Sequence, residues 1–452
     1  MNVKVKLCQF EGIMKSAKKI FFQLFLLLIT VSFLVFILQT ISVKELKTIE
    51  VRDTYDVSSA NRGDLMFNEY YKTFSTEDVA SFLQKLGKST TKESAQWSMT
   101  QIGSPDYPVS AYIIEYVTIN HAGEKVPCSG VVLIPEKTDP TAMPLLVYQH
   151  ATIMTNGTAP SVSIQKASGE SNTLLGAFAS DGYVVAISDY LGTGQPNCLK
   201  QPSEYLYADS EAANGVDILI ATQHLLEQLK LSTNGQLFLS GYSEGGQAVS
   251  ALAELIQNDY PQYPVTAAVF MEGPYNMNAA MNNFLETPGG VIMDGRPGGS
   301  LVCAKAVYAY QQIYNWGAMD TIFNKPYDDR VEKNFKNPTT PLIILASNYP
   351  KATDNMFSTA FLTSAKDGEV SQDIAANNTD DWVPKMPVTF LTSSQDGLIP
   401  ASVTENAYQM MLAAGGNVKM SYTQYPLNHL QNYMQAIAQS KVIFDSYVNA
   451  IN

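Results

Sequence analysis

The chain has 452 residues, 46% of them hydrophobic and only 16% charged, and carries a net charge of -13. That is enough apolar material for a substantial core and argues against a disordered or fibrous chain. The acidity is uneven: residues 1–42 hold five lysines and one acid, so the remainder is more acidic than the whole. Such a body repels nucleic-acid phosphates and anionic lipid surfaces, which leaves a neutral substrate as the better fit. No two of the four cysteines (Cys8, Cys128, Cys198, Cys303) form a CxxC pair, which argues against a zinc site. The last three allow at most one disulfide, with the pairing open.

Lys15, Lys18 and Lys19 lead into the apolar run Ile20–Leu38, interrupted only by Gln23, Thr30 and Ser32. A helix of that length nearly spans a bilayer core of about 30 Å, and the lysines place the rest of the chain outside the cytoplasm. Small residues at Thr40 and Ser42 suit a cleaved signal peptide. The length of the run suits an uncleaved anchor equally well. Residues 1–43 are therefore expected to be a signal peptide or a membrane anchor. The mature protein is secreted or periplasmic in the first case and membrane-attached in the second.

Residues 44–105 read as an extension packing on the body, with helical periodicity near Thr76–Leu86. Ala111–Asn120 and Val126–Pro135 then read as an antiparallel hairpin. Short apolar runs follow at Leu145–Gln149, Tyr183–Asp189, Gln236–Ser240, Val265–Met271, Pro387–Thr392 and Val418–Gln424. Short continuous apolar strands indicate a sheet buried on both faces, hence mostly parallel. Helical stretches lie between them, at Ser210–Leu229, Gly245–Ile256, Ala401–Ala414 and Leu430–Val448. The fold class is α/β, a mostly parallel sheet flanked by helices. Residues 275–385 interrupt the alternation between the sixth and seventh of these strands. A structureless loop of that size is implausible, so an inserted cap is expected there, with 106–274 and 386–452 forming the body. In the insertion, Tyr310, Ile313, Tyr314 and Gly317 recur at helical spacing, a stripe that suits packing better than substrate contact.

Gly241-Tyr242-Ser243-Glu244-Gly245 follows one strand and opens a helix. GxSxG alone is a weak pattern. In a strand-to-helix turn, however, the glycines permit a tight strained bend that presents the serine hydroxyl, and the helix N-terminus behind it offers N–H groups to an oxyanion. The serine needs a base. Of four histidines, His121 sits in the hairpin turn, His224 within a helix and His150 at a strand end. His429 follows the last strand and precedes the last helix. The base needs a carboxylate to orient it, and Asp396 follows the strand before. The rival acids Asp380 and Asp381 suit a loop or cap surface. The oxyanion donors expected are the backbone N–H groups of Glu244 and Ala151, with Thr152 as the neighbouring alternative. No metal or organic cofactor is required.

Four stretches resemble the secretory lipases of lipase A type within the α/β-hydrolase superfamily: GYSEGG at Gly241–Gly246, SDYLGTG at Ser188–Gly194, YLYADSEAANGVDIL at Tyr205–Leu219, and NNTDDWVPKMPVTFLTSSQDGLIP ahead of NHLQ. The resemblance covers roughly residues 105–450. It implies a Ser243–Asp396–His429 triad, a cap and hydrolysis of acyl esters, with a neutral ester, lipid or otherwise, as substrate. The chain departs from the family pattern where Ala151 follows His150 in place of a glycine, and where Ser393-Ser394-Gln395 opens the acid loop. Two rivals remain at this stage: a serine peptidase on the same fold, and a non-catalytic hydrolase-like binding module. No propeller repeat precedes the body, and all three triad members are present. Acyl length and oligomeric state are not legible.

Overall fold

The computed structural model describes residues 56–450 apart from 140–142, 167, 287–291, 294, 295, 298, 337, 342–344, 346, 347 and 350–354. The expected signal or anchor segment, residues 1–43, lies outside the described residues. Among the described residues no helix is long and apolar enough to cross a membrane.

Nine strands form the main sheet. In chain order they are β1 (Leu65–Phe74), β2 (Val109–Ile119), β3 (Lys125–Pro135), β4 (Leu145–Gln149), β5 (Val184–Ser188), β6 (Leu237–Tyr242), β7 (Val265–Met271), β8 (Val388–Thr392) and β9 (Val418–Tyr422). Their spatial order is β1-β2-β3-β5-β4-β6-β7-β8-β9. The pairs β1/β2, β2/β3 and β3/β5 are antiparallel, and every pair from β5/β4 to β8/β9 is parallel. This is the mostly parallel, helix-flanked sheet that the apolar runs predict. The hairpin is also present, running in register from Val109↔Pro135 to Ile119↔Lys125. Gly123 turns it at a φ of 75°, which a Cβ would oppose.

β1 is not anticipated by the sequence. Its residues, LMFNEYYKTF, are half-exposed or exposed along most of the strand, and the register slips twice against β2. An edge strand with bulges shows no clean alternation. The helix that follows, Thr76–Leu86, starts at a capping box between Ser75 and Asp78. Its buried Val79 and Leu83 join Phe74, Phe178 and Phe444 in one apolar cluster on that side of the sheet.

Between β7 and β8 the chain makes a helical excursion. Its helices include Met277–Glu286, Gly299–Tyr314, Tyr327–Phe335, Thr359–Asp367 and Glu369–Ala375. Their buried side chains form one cluster with Met154, Tyr205, Leu206, Leu398 and Ile399, which belong to loops at the strand ends. The insertion's core is thus continuous with the loops that carry the site. The tyrosine stripe packs there: Tyr310 is buried and donates to Leu206 O at 2.7 Å, and Tyr314 stacks on Trp316. The end of the insertion is strapped to the helix Glu244–Asp259, where Gln247 Nε2 donates to Asn377 O (2.8 Å) and Ser250 Oγ to Thr379 O (2.8 Å).

Candidate active site

β6 lies inside the parallel sheet between β4 and β7, and Ser243 stands at its C-terminal end. Its backbone has φ 60° and ψ −121°, a strained conformation for a side chain with a Cβ. The turn is held from both sides. Ser243 N–H donates to Met271 O on β7 (2.9 Å), and Gly246 N–H closes back onto Ser243 O (2.8 Å). A Cβ on Gly241 would sit 2.0 Å from Gly245 O, and one on Gly245 would sit 1.9 Å from Gln149 O. Those two distances are the physical content of the GxSxG spacing.

Asn428 caps the last helix, its side chain accepting from Gln431 N–H, so His429 is the first helical residue. His429 Nε2 lies 2.8 Å from Ser243 Oγ, and Nδ1 lies 2.6 Å from Asp396 Oδ2. Asp396 Oδ1 accepts from the N–H groups of Leu398 (2.8 Å) and Ile399 (2.9 Å). With Asp396 filled by donors, Nδ1 carries the ring proton and Nε2 faces the serine hydroxyl as acceptor. Ser243, Asp396 and His429 are all buried, at 7%, 7% and 6% exposure.

A second carboxylate reaches the same histidine. Glu272 leaves β7 at a φ of 49°, its N–H donating to Leu391 O on β8 (3.0 Å). Its Oε1 accepts from Asn432 Nδ2, its Oε2 meets the Tyr242 hydroxyl, and Oε2 lies 3.4 Å from His429 Nδ1. Burial, then the charge of Asp396, push the Glu272 carboxyl well above the usual carboxylate range. Sequence reading missed Glu272, although it closes an apolar strand at the same sheet edge as Asp396. The ligating atoms of Glu272, Asp396 and His429 lie within 4.8 Å of one another. Both ring nitrogens of His429 already have hydrogen-bond partners within this group and Ser243.

Glu244 is the first helical residue after Ser243, so its N–H has no acceptor within the helix. Ala151 differs from expectation: its N–H donates to both carboxylate oxygens of Glu170 (3.1 Å each). It therefore already has an acceptor, and Thr152, the neighbouring candidate, follows it after β4. Thr152 Oγ1 lies 2.9 Å from the Tyr205 hydroxyl. His150, Tyr205, Glu211, Glu244 and Lys305 are among the residues that line a cavity here. Lys305 comes from the insertion helix Gly299–Tyr314, donates to Ile153 O (2.7 Å) and sits over the Tyr205 ring at 4.1 Å. Burial lowers its pKa, opposed by Glu244 and Glu211, and burial raises both of those carboxyls.

Residues 161–440 match the family model described as secretory lipase. That span covers more than half of the chain. The chain belongs to the secretory lipase family. Membership makes it a carboxylic ester hydrolase. Among solved structures, the esterase LipA of Xanthomonas oryzae, described as degrading rice cell walls, aligns at 24% identity and TM-score 0.72, over 85% of this chain and 98% of that one. Candida antarctica lipase A in its closed state aligns at 17% identity and TM-score 0.62, over 86% and 83%. Both share the fold. No curated protein matches the chain by sequence.

The remaining sequence candidates of this lipase-family chain lie elsewhere. His121 Nδ1 is 2.6 Å from Glu204 in the hairpin turn, and His224 lies in the helix Ala208–Gln228. His150 Nδ1 bonds Ala151 O (2.8 Å), and its ring lies against Tyr190 with centroids 4.0 Å apart. Burial pushes its pKa down to about 4, so it is a neutral residue under the pocket. Asp380 accepts from Asn276 Nδ2 (3.2 Å) at the insertion's root. Cys128, Cys198 and Cys303 are free and buried, with the Sγ atoms of Cys128 and Cys198 3.0 Å apart.

Proposed function

We propose that the chain hydrolyses neutral carboxylic esters by double acyl transfer, with Ser243 as nucleophile, His429 as base and Asp396 as orienting acid. The observation that carries this reading is the continuous chain of contacts Asp396 Oδ2–His429 Nδ1 (2.6 Å) and His429 Nε2–Ser243 Oγ (2.8 Å), set on a strained turn. His429 takes the Ser243 proton as Oγ attacks the ester carbonyl. The N–H groups of Glu244 and Thr152 hold the oxyanion, and the positive end of the helix behind Ser243 adds to their field. His429 then returns the proton to the leaving alcohol, and water repeats the cycle on the acyl-enzyme. The imidazolium formed on the way is stabilised by Asp396.

The helical insertion acts as a cap over this site, because its core is continuous with Tyr205, Leu398 and Ile399 beside the triad. The family's secretory character and the basic, apolar N-terminus support export. The test is steady-state hydrolysis of aryl esters of increasing acyl length, with aminoacyl amides as the peptidase control. Ser243→Ala and His429→Ala should each lower kcat by about a millionfold, with aminoacyl amides untouched by the wild type. Full ester hydrolysis by Ser243→Ala would end this reading. A long-chain preference would mark a lipase, and a sharp short-chain preference an esterase.

A further inference from the structure

We propose that Glu272 is a positioning residue of the triad: a neutral carboxylic acid beside ionised Asp396 that can take over the orientation of His429. The proposal rests on the reading of Ser243, His429 and Asp396 given above, and deepens it.

The topology brings the two acids together. β7 and β8 are neighbouring parallel strands, with Val388 opposite Ala268 and Leu391 opposite Met271. The residues that leave their C-terminal ends therefore emerge side by side, and Glu272 N–H is pinned to Leu391 O. Its carboxylate is aimed rather than loose. Asn432 Oδ1 accepts from Thr423 Oγ1 (2.8 Å) and from Gln435 Nε2, which turns Asn432 Nδ2 toward Glu272 Oε1. That leaves Oε2 facing Tyr242, Asp396 and His429, the titratable groups around it.

The crowding of two buried carboxyls assigns the charge. The Tyr242 hydroxyl has one proton and two oxygen neighbours, Glu272 Oε2 and the His429 carbonyl. A carbonyl cannot donate. Whether it donates to Glu272 Oε2 or to that carbonyl, the phenol leaves the charge of the carboxyl pair to be set by Glu272 and Asp396 themselves. Asp396 is the carboxyl without a proton, because its oxygens already accept from Leu398 N–H, Ile399 N–H and His429 Nδ1. Glu272 is thus the neutral partner and Asp396 the single negative charge. The pair avoids two adjacent buried carboxylates, which repel and cannot both ionise cheaply.

The arrangement holds a reserve. When Asp396 is removed, burial still raises the Glu272 carboxyl, but the neighbouring negative charge that also raises it is gone. Glu272 then releases its proton to solvent, and Oε2, already 3.4 Å from Nδ1, accepts the ring proton. The test is kcat and KM for an aryl ester with Glu272→Gln, Asp396→Ala and the double variant, each checked by thermal melting. Glu272→Gln, which mimics a neutral acid, is the background against which the double variant is read. Asp396→Ala should lose about a hundredfold in kcat with KM little changed, and the double variant about ten-thousandfold, the loss typical when a triad acid is removed. The acid limb of Asp396→Ala should also move to higher pH, because Glu272 must ionise first. If alanine at 396 does not fold, Asp396→Ser with and without Glu272→Gln carries the same comparison. Equal activity of Asp396→Ala and the double variant, with Ser243→Ala inactive, overturns this inference and leaves the triad standing. An inactive Glu272→Gln beside a near-normal Asp396→Ala makes Glu272 the acid and overturns both.

Discussion

At the scale of single residues, the site depends on how little room surrounds Ser243. The turn that exposes its hydroxyl brings Gly241 and Gly245 against backbone oxygens at distances no Cβ tolerates. Gly241→Ala should destabilise the fold by about 3 kcal/mol or more, since backbone cannot move aside as a side chain would. Urea unfolding measures this, and a loss under about 1 kcal/mol would show that the turn yields. The glycines, Ser243, Asp396 and His429 were legible because their residue types recur at fixed places relative to strands and helices. Glu272 was not singled out, because a glutamate after an apolar strand has no pattern around it. Its partners Tyr242 and Asn432 are distant in sequence and meet it only in the folded chain. Ala151 misled for a related reason: its N–H is taken by Glu170, nineteen residues on, and no local pattern announces that bond.

At the scale of elements, the working edge of the sheet is a row of strand ends. β4 leads to Thr152, β6 to Ser243, β7 to Glu272, β8 to Asp396 and β9 to His429. The parallel strands were readable because each is a short apolar run bounded by polar turns. β1 was not, because an exposed, bulged edge lacks alternation. The segment leading into β1 is tied to the body by Arg62, whose Nε donates to Asp217 Oδ1 (3.1 Å) and Oδ2 (3.2 Å) in the helix Ala208–Gln228. Burial raises the Asp217 pKa to about 6, with Arg62 opposing. A carboxyl raised in the folded state favours folding below its ordinary value and costs stability as pH rises through the folded value. Arg62→Ala leaves that carboxylate unpaired and should cost about 3 kcal/mol at pH 8 but little at pH 4. Melting temperatures across that range check it, and a penalty independent of pH would contradict it.

At the scale of the whole molecule, the insertion and the body meet through charge as well as apolar contact. Lys305 of the insertion is buried against Glu211 and Glu244, and Glu244 directly follows Ser243. Burial raises the Glu244 carboxyl, so its charge depends on Lys305 more as pH rises. Lys305→Met should therefore lower the melting temperature at pH 8 and much less at pH 5, where the carboxyls take up protons. An equal drop at both pH values would mean the lysine acts through packing alone. The insertion announces itself in the sequence as a long break in the alternation of strands and helices. Its attachment does not, since Lys305, Glu211 and Glu244 lie far apart in the chain and carry no shared motif.

The central claim is that Ser243 is the nucleophile activated by His429. It is tested most directly by labelling the purified protein with a fluorophosphonate and locating the adduct by tandem mass spectrometry. A single adduct on Ser243, abolished in Ser243→Ala and slowed strongly in His429→Ala, is the result predicted. A folded wild-type protein that takes up no label, or takes it up on another serine, would contradict the account.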